Sequence, residues 1–434
     1  MSDKERMNNK NISTEDNPIR VIVAGLDYGN RRNFEHSLEE MENLVEACDM
    51  EAIAIISQSL PHPDAGTYMG KGKIEEIKEL VENLEAEYVI FEDNLSPAQL
   101  KNLQRLLDIP VWDRTTLILE IFSRRAQTIE ARLQVESAYL QYMLPRLTGM
   151  WQHLGRQGGG SGSRSNRGIG ETQIELDRRQ INQRITELKR ELEKIEKTRK
   201  VQRSGRTKDG LPTAALVGYT NAGKSTIMNA MLTDNGAADN KKVLQKDMLF
   251  ATLDTSIRHI EMGDNKDFLL SDTVGFIENL PHGLVKAFRS TLEEAATADL
   301  LVIVLDASDP YHVEHKRVTE ETLKELGAEN LPRIFVMNKA DLMDDREFEI
   351  PSVRDDIIWL SAVDGTGIDE LKSMITDRLY GTNRTIECLI PYSRGDILDL
   401  LHRKANIISE EYVPEGVKIK ADCSPKIAGM VESI

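Results

Sequence analysis

The sequence predicts a multidomain α/β protein, and three observations support that prediction. The chain has 434 residues, and this length favours about three domains. Short β-branched runs alternate with amphipathic helices in two separate stretches. Between them lies a long segment whose apolar residues recur at helical spacing. We expect an N-terminal α/β domain with a parallel sheet, an antiparallel helical hairpin, a doubly wound sheet and a small C-terminal α+β domain.

The predicted domain ranges follow the changes in pattern along the chain. They are 1–17 for a disordered tail, 18–114 for the N-terminal domain, 115–207 for the hairpin with a tip loop at about 154–170, 211–380 for the doubly wound domain and 384–434 for the C-terminal domain.

Composition excludes several classes of protein. Apolar residues make up 40% and charged residues 29% of the chain, which excludes a wholly disordered protein. The longest apolar run, near Leu300–Leu305, is far shorter than the roughly 20 residues of a membrane span. The polar N-terminus lacks a signal-peptide core, and the three cysteines have no metal-ligand spacing. We therefore expect a cytoplasmic protein.

The elements of the N-terminal domain alternate regularly. Strands are predicted at 19–25, 51–57, 87–93 and 109–112, with helices at 37–50, 73–86 and 97–108. This alternation is typical of a parallel sheet covered by helices. A glycine cluster at 66–73 precedes the second helix. It is either a loop with unusual backbone dihedrals or an anion site at the helix N-terminus.

The hairpin prediction depends on two apolar stripes and a proline. The stripes are Ile129, Leu133, Leu140, Leu144 and Leu147, then Ile181, Ile185, Leu188, Leu192 and Ile195. Pro145 is expected to kink or end the first helix.

Strands of the doubly wound domain are predicted at 214–220, 268–275, 300–308, 333–341 and 357–362. The first ends in a motif of the form G-x-x-x-x-G-K-[ST], in which backbone N–H groups and a lysine hold phosphates and a hydroxyl binds Mg²⁺. Its residues are Gly218, Tyr219, Thr220, Asn221, Ala222, Gly223, Lys224 and Ser225.

Two further segments fit a nucleoside triphosphate site. After the second strand come Asp272, Thr273, Val274 and Gly275, where an aspartate can hold Mg²⁺ through water and a glycine can meet a γ-phosphate. The segment before that strand is Phe250, Ala251, Thr252, Leu253 and Asp254. Thr252 is a second predicted Mg²⁺ ligand beside Ser225, and loss of the γ-phosphate would release it as a switch.

The remaining motifs select the base. Asn338, Lys339, Ala340 and Asp341 end one predicted strand, and Ser361, Ala362 and Val363 end the last. The Asp341 carboxylate can accept from both N1–H and the exocyclic amine of guanine, a donor pair that adenine lacks. These elements, in this order, resemble the translation-factor-like GTPases, and they predict a P-loop GTPase domain that binds GTP and GDP.

Hydrolysis is expected to be slow in the isolated protein. Phe276 stands where Ras-like GTPases carry a glutamine, and phenylalanine cannot orient an attacking water. We assign no catalytic residue, although Lys224 and Asn221 are expected to support hydrolysis. Related GTPases that use K⁺ carry asparagine at the position of Asn221, so K⁺ is a candidate cofactor; a plain loop asparagine is the alternative.

Charge is distributed unevenly. The net charge is −17, which argues against non-specific coating of nucleic acid. Residues 137–170 nevertheless contain no acidic residue and include Arg156, Arg164 and Arg167. Arginines on a glycine-rich loop suit insertion into folded RNA. The alternative is a solvated spacer.

The chain resembles the HflX family of ribosome-associated GTPases. The resemblance depends on GTYMGKGKIEEI (66–77), GGGSGSRSNRGIGETQIELDRR (158–179), FATLD (250–254) and DTVGF (272–276). Phe276 agrees with the hydrophobic residue of that family.

The resemblance implies binding to the large ribosomal subunit and its RNA, and dissociation of stalled or stressed ribosomes into subunits. The tip loop would reach ribosomal RNA. The chain would be cytoplasmic, partly ribosome-associated, and monomeric when free. Two alternatives stay open: a ribosome-assembly GTPase, and a GTP-gated RNA-binding scaffold without physiological turnover.

Overall fold

A computed structural model describes most of the chain. The described ranges are 18–29, 33–146, 166–209, 211–233, 256–262, 266–277, 294–343, 348–381, 384–423 and 425–432. The predicted tail 1–17, Phe250–Asp254, Arg156 and Arg164 lie outside them. Contacts divide the chain into two compact units, one of residues up to 124 with 143–178, the other of 125–142 with the residues from 179 onward.

The first unit contains a parallel four-stranded sheet, as the sequence predicts. Its strands are β1 (Ile19–Asp27), β2 (Met50–Ser59), β3 (Tyr88–Phe91) and β4 (Val111–Asp113), in the order β2-β1-β3-β4. Its helices are α1 (Phe34–Ala47), α2 (Lys71–Leu84), α3 (Pro97–Leu107) and α4 (Arg114–Arg125). Buried side chains of β1 and β3 form the centre of its core.

Local sequence explains the bounds of α3. Ser96 accepts from the N–H of Gln99 at 3.3 Å, and the Gln99 side chain accepts from the N–H of Ser96 at 2.9 Å. This capping box, with Pro97 at the first helical position, fixes the start of the helix. Asp108 ends it in the left-handed conformation.

Helix α4 is an element that the apolar spacing did not reveal. It buries most of one continuous apolar run, including Leu117, Ile118 and Phe122, so it shows no simple stripe. At its first residue, the Arg114 guanidinium forms a buried ion pair with Glu40 of α1. The pair joins the two helices inside the first unit.

The hairpin consists of α5 (Ile129–Met143) and α6 (Asn166–Asp209). Arg184 contacts Glu136 at 2.7 Å, and Arg199 contacts Glu130 at 3.0 Å. Because partners that come later on α6 meet residues that come earlier on α5, the helices run antiparallel. Helix α5 ends two residues before Pro145, as predicted.

The apolar stripe predicted for α5 is wrong in part. Ile129 is 75% exposed, whereas Ala131, Val135 and Ala138 are buried. Small side chains at spacings of four and three therefore line the buried face. On α6 the predicted stripe is buried at Ile185 and Leu188.

The second sheet has seven strands in the order β10-β11-β9-β8-β5-β7-β6, with β6 and β10 antiparallel to their neighbours. The strands are β5 (Thr213–Gly218), β6 (Ser256–Ile260), β7 (Phe268–Asp272), β8 (Leu300–Asp306), β9 (Arg333–Asn338), β10 (Ser352–Arg354) and β11 (Ile357–Trp359). The described helices are α7 (Lys224–Thr233), α8 (His312–Glu325) and α9 (Ile368–Tyr380). Strands β5 and β8 are buried at the centre, so the loops that follow them start from a rigid base.

The C-terminal residues form an antiparallel sheet in the order β12-β14-β13 with two helices. The elements are β12 (Arg384–Ile390), α10 (Gly395–Lys404), β13 (Asn406–Val413), β14 (Gly416–Cys423) and α11 (Pro425–Glu432). Strand β13 and helix α11 were not predicted. Among the described helices, none has the length and apolarity to cross a membrane.

Candidate functional site: a phosphate loop beside a guanine loop

The predicted phosphate loop, residues 218–225 between β5 and the first turn of α7, requires glycine at two positions. Gly218 has a φ of +150°, and a Cβ there would lie 2.2 Å from the Val304 carbonyl oxygen of β8. Gly223 has a φ of +91°, and its Cβ would lie 2.1 Å from Nδ2 of Asn338. Side chains are therefore excluded at both ends of the loop, which lets the backbone curl closely around an anion.

Lys224 begins α7 and is 6% exposed. Its Nζ donates to the carbonyl oxygens of Gly218 at 3.1 Å and Tyr219 at 2.7 Å. Burial lowers the pKa of this ammonium to about 8, and the Asp272 carboxylate opposes part of the shift. The group is thus held within the loop that is expected to receive phosphates.

Ser225 and Asp272 bring two oxygen donors together. The Ser225 hydroxyl donates to Oδ2 of Asp272 at 2.6 Å. Asp272 is fully buried at the end of β7, and Ser225 is partly buried on the first turn of α7. Hydroxyl and carboxylate oxygens are hard ligands of the kind that Mg²⁺ prefers.

The segment after β7 is paired with the phosphate loop. The N–H of Thr220 donates to the carbonyl of Phe276 at 2.8 Å, and the N–H of Phe276 donates to the carbonyl of Gly218 at 3.0 Å. Phe276 is 3% exposed. A buried phenyl ring has no hydrogen-bonding group with which to orient water.

Asn338 connects the phosphate loop with the loop at the end of β11. Its Nδ2 donates to the Ala222 carbonyl at 2.9 Å, and its Oδ1 accepts from the N–H of Ala362 at 3.0 Å. Lys339 has a φ of +57° and pairs with Asp306 at 2.8 Å. Residues 338–341 at the end of β9, named the guanine motif for their predicted role, therefore contact three loops.

Asp341 lies in a short 3-10 turn beside that motif. It is partly exposed, and Ala340 next to it donates to the Leu360 carbonyl at 3.1 Å. Ser361 and Ala362 are buried, whereas Val363 is 80% exposed. The arrangement leaves a carboxylate accessible at the rim of a rigid loop, as recognition of a base edge requires.

Three family models match successive parts of the chain. A model described as a 50S ribosome-binding GTPase matches residues 213–339. Models described as GTP-binding GTPase N-terminal and GTP-binding GTPase Middle Region match 35–123 and 125–206. The matched ranges together cover β2 to β4 of the first sheet, most of the hairpin, and the second sheet from β5 to β9.

Curated relatives extend over nearly the whole chain. The GTPase HflX of Caldanaerobacter subterraneus subsp. tengcongensis is 41% identical over 393 residues, which is 91% of this chain and 89% of that protein. The chain belongs to the HflX family of GTPases. The GTPase HflX of Escherichia coli K12 is also 41% identical, over 87% of each chain. A GTP-binding protein of Sulfolobus solfataricus in complex with GDP has 25% identity, a TM-score of 0.44, and covers 82% of this chain and 98% of that one.

Membership of the HflX family establishes that the chain binds and hydrolyses GTP. The structure brings together the predicted residues at 218–225, 272–275, 338–341 and 361–363. Phe250, Ala251, Thr252, Leu253 and Asp254 lie outside the described residues, as do Arg156 and Arg164. Arg167 lies on α6, where only the backbone is described.

The glycine cluster at 66–73 forms a closely packed loop in this HflX-family chain. The Asp64 carboxylate accepts from the N–H groups of Thr67 and Gly66, which lowers the pKa of that carboxyl group. Tyr68 is buried and has a φ of +65°. Its hydroxyl donates to Oδ2 of Asp93 at 2.7 Å. These contacts favour the interpretation as a structural loop.

Sequence reasoning missed two residues near the site, His315 and Asp306. His315 of α8 stacks on the predicted residue Tyr219, and Asp306 pairs with the predicted residue Lys339. Asp306 could have been noticed as an acidic residue at the end of a predicted strand. His315 has no such signal, because a lone histidine on a helix is an ordinary feature.

Arg146 is one basic residue of the acid-free segment whose contacts are described. Its guanidinium donates to the Leu95 carbonyl at 2.9 Å and lies 3.6 Å from Oδ2 of Asp113, and it is 10% exposed. It therefore packs within the first compact unit.

Proposed function

We propose that this chain is a GTP-hydrolysing factor that binds the large ribosomal subunit and dissociates stalled or stressed ribosomes into subunits. The observation that carries the proposal is the buried Phe276, which is paired with the predicted phosphate loop by backbone hydrogen bonds. A site that lacks a water-orienting side chain at this position depends on an external group for fast hydrolysis. The description of the matched family, a 50S ribosome-binding GTPase, supports the large subunit as its source.

Each motif has a proposed role in nucleotide binding. Lys224 and the backbone amides of the phosphate loop hold the phosphates, and Asp341 accepts from guanine. Ser225 and Thr252 ligate Mg²⁺; the Ser225 hydroxyl and the adjacent Asp272 carboxylate fit such an ion. Bound Mg²⁺ would neutralise charge on the β- and γ-phosphates. Asn221, exposed and with a φ of +58°, is the proposed contact for K⁺.

The RNA contact is proposed for the tip of the hairpin. Arg156, Arg164 and Arg167 lie in the acid-free segment that joins α5 to α6. Arginines pair with phosphate oxygens and stack on bases, and the local excess of positive charge contrasts with the acidic chain. We propose that this loop contacts ribosomal RNA. We also propose that each predicted domain range is a separate functional domain. The protein would act in the cytoplasm, partly on ribosomes, and would be a monomer when free.

Two measurements test the proposal. GTP turnover is measured with and without large subunits, and we expect an acceleration of about tenfold or more. Intact ribosomes are then incubated with the protein and GTP, and the subunits are separated by sedimentation. Stimulated turnover without subunit release would indicate an assembly GTPase instead. Absence of stimulated turnover would indicate an RNA-binding scaffold.

A further inference from the structure

A buried pair of rings lies under the phosphate loop. The ring centroids of Tyr219 and His315 are 3.8 Å apart, and their planes differ by 10°. Both residues are nearly buried, at 5% and 6% exposed. Such a stack fixes the position of each ring, because sliding or tilting either one loses contact area and creates a void.

The backbone of Tyr219 lies at the start of the phosphate loop, where the loop contacts Lys224 and Phe276. Its carbonyl accepts from Nζ of Lys224 at 2.7 Å. The residues on either side, Gly218 and Thr220, form the two hydrogen bonds to Phe276. A movement of Tyr219 would therefore displace both the lysine that reaches phosphate and the start of the segment after β7.

His315 is itself held by the loop that follows β8. Its ring Nδ1 lies 3.5 Å from Oδ2 of Asp309. Its backbone N–H donates to the carbonyl of Tyr311, the residue before α8, at 3.0 Å. The same loop begins at Asp306, which pairs with Lys339 of the guanine motif. Residues 306–315 thus contact the phosphate loop through the His315 ring. They contact the guanine motif through the Asp306 carboxylate and through the N–H of Ala307, which donates to the Asn338 carbonyl at 2.7 Å.

We propose that His315 is a positioning residue for GTP binding: its ring holds Tyr219, and through Tyr219 it sets the phosphate loop and Lys224 in the conformation that receives the nucleotide. It touches neither nucleotide nor metal in this assignment. Its contribution comes from the flat ring, so a flat apolar ring at position 315 replaces it and a branched aliphatic side chain of similar size does not.

The proposal is tested on the full chain without ribosomes, so its result is independent of the proposed ribosomal function. The variants are His315→Leu, which fills the space without a ring face, and His315→Phe, which restores a ring. Thr319→Val serves as the control, because Thr319 is fully buried one turn further along α8 and donates to the His315 carbonyl at 2.8 Å. The measurements are KM and kcat for GTP, Kd for a fluorescent GDP analogue, and the midpoint of thermal unfolding.

For His315→Leu we expect KM for GTP and Kd for GDP to rise about three- to tenfold, the range that loss of an aromatic stack gives. We expect kcat to change by less than about twofold, because Lys224 still reaches the phosphates once nucleotide is bound. In His315→Phe and Thr319→Val both constants stay within about twofold of the parent.

The result that overturns the proposal is equal KM in His315→Leu and His315→Phe. If both were unchanged, His315 would serve only the packing of α8, and a lower unfolding midpoint with a smaller active fraction would be the sole effect. If both were raised, the contact of the imidazole with Asp309 would matter and the ring stack would not.

Discussion

The hydroxyl of Ser225 donates to the buried carboxylate of Asp272 across 2.6 Å, which links the first turn of α7 to the end of β7. The two residues are separated by 47 positions in the chain. This bond holds the two oxygen donors next to each other. Under the proposed role of Ser225 as a Mg²⁺ ligand, the same hydroxyl would turn toward the cation when a magnesium nucleotide binds.

Removal of the Ser225 hydroxyl should reduce the increase in GTP affinity that Mg²⁺ gives. For Ser225→Ala we expect GTP affinity in Mg²⁺ to fall about tenfold or more, while affinity in EDTA changes little. Titration with a fluorescent GTP analogue measures both. Ser271→Ala is the matched control. Ser271 lies on β7 next to Asp272, and its buried hydroxyl donates to the Ala214 carbonyl at 3.4 Å. Equal losses with and without Mg²⁺ would contradict the assignment.

Asp341 is expected to determine base choice. Asp341→Asn replaces an acceptor with a donor at one atom, so guanine donors lose a partner, and preference for GTP over ATP should fall by about 1–3 kcal/mol. Xanthine carries a carbonyl where guanine carries its amine, so XTP binding should improve. Competition assays measure all three nucleotides. Asp355→Asn, at an exposed turn, is the control, and an unchanged preference in Asp341→Asn would refute the role.

The pKa of Lys224, lowered to about 8, predicts how nucleotide affinity varies with pH. Below that pH the ammonium is already charged and binding needs no proton. Above it the free protein has lost the proton, and binding to phosphate must recover it. We expect Kd for GDP to be flat from pH 6.5 to 7.5 and to rise by up to about tenfold per unit above pH 8.

The same shift has a consequence for stability. Between pH 8 and 10.5 the lysine of the unfolded chain, with a pKa near 10.5, binds more protons than the folded one. The contribution of this group to the free energy of unfolding therefore increases with pH over that range.

Lys224→Arg stays charged throughout and should remove the pH dependence of GDP affinity above pH 8. A persisting dependence in that variant would assign it to another group.

The arginines of the hairpin tip should control the salt dependence of ribosome binding. Each phosphate contact contributes a slope of about 0.7–0.9 in log affinity against log salt. Replacing Arg156, Arg164 and Arg167 with alanine should flatten that dependence and weaken subunit release, with GTP affinity unchanged. The matched control is alanine at Lys189, Arg190 and Lys194, three exposed basic residues of α6. A triple tip variant that binds like the parent at every salt concentration would favour a solvated spacer.

Removal of only one partner of the buried Arg114–Glu40 ion pair should lower the stability of the protein. Arg114→Met leaves the Glu40 carboxylate buried without its guanidinium, and we expect the free energy of unfolding of the first unit to fall by about 3–5 kcal/mol. Adding Glu40→Gln removes the charge and should recover part of that loss. Urea unfolding, followed for the single and double variants, measures the difference. A double variant as unstable as the single one would argue against burial of charge as the cause.

Sequence predicted the elements whose signals are local. The strands of the first sheet and helix α3, with its capping box at Ser96, are confirmed within a few residues. Helix α4 was missed because it is buried around most of its circumference. Strand β13 was missed because its exposed or half-buried residues, including Glu410 and Glu411, do not alternate clearly.

The same distinction holds for the site. The residues of the phosphate loop are contiguous, so a motif with fixed spacing predicted them. The partners of those residues are far away in sequence: Asn338 contacts the loop across 116 positions, and His315 does so across a comparable distance. Contacts of that kind depend on which strands become neighbours, and one sequence does not contain that information in any local pattern.

The two hydrogen bonds of the Asn338 side chain also have a consequence for a chain that is still being synthesised. The phosphate loop is synthesised 116 residues before the amide that supports it, and Ala362, the other partner of that amide, follows 24 residues later. A chain still in synthesis therefore carries an unsupported phosphate loop until β11 has left the exit tunnel. We therefore expect GTP binding to require a polypeptide whose nucleotide domain is nearly complete.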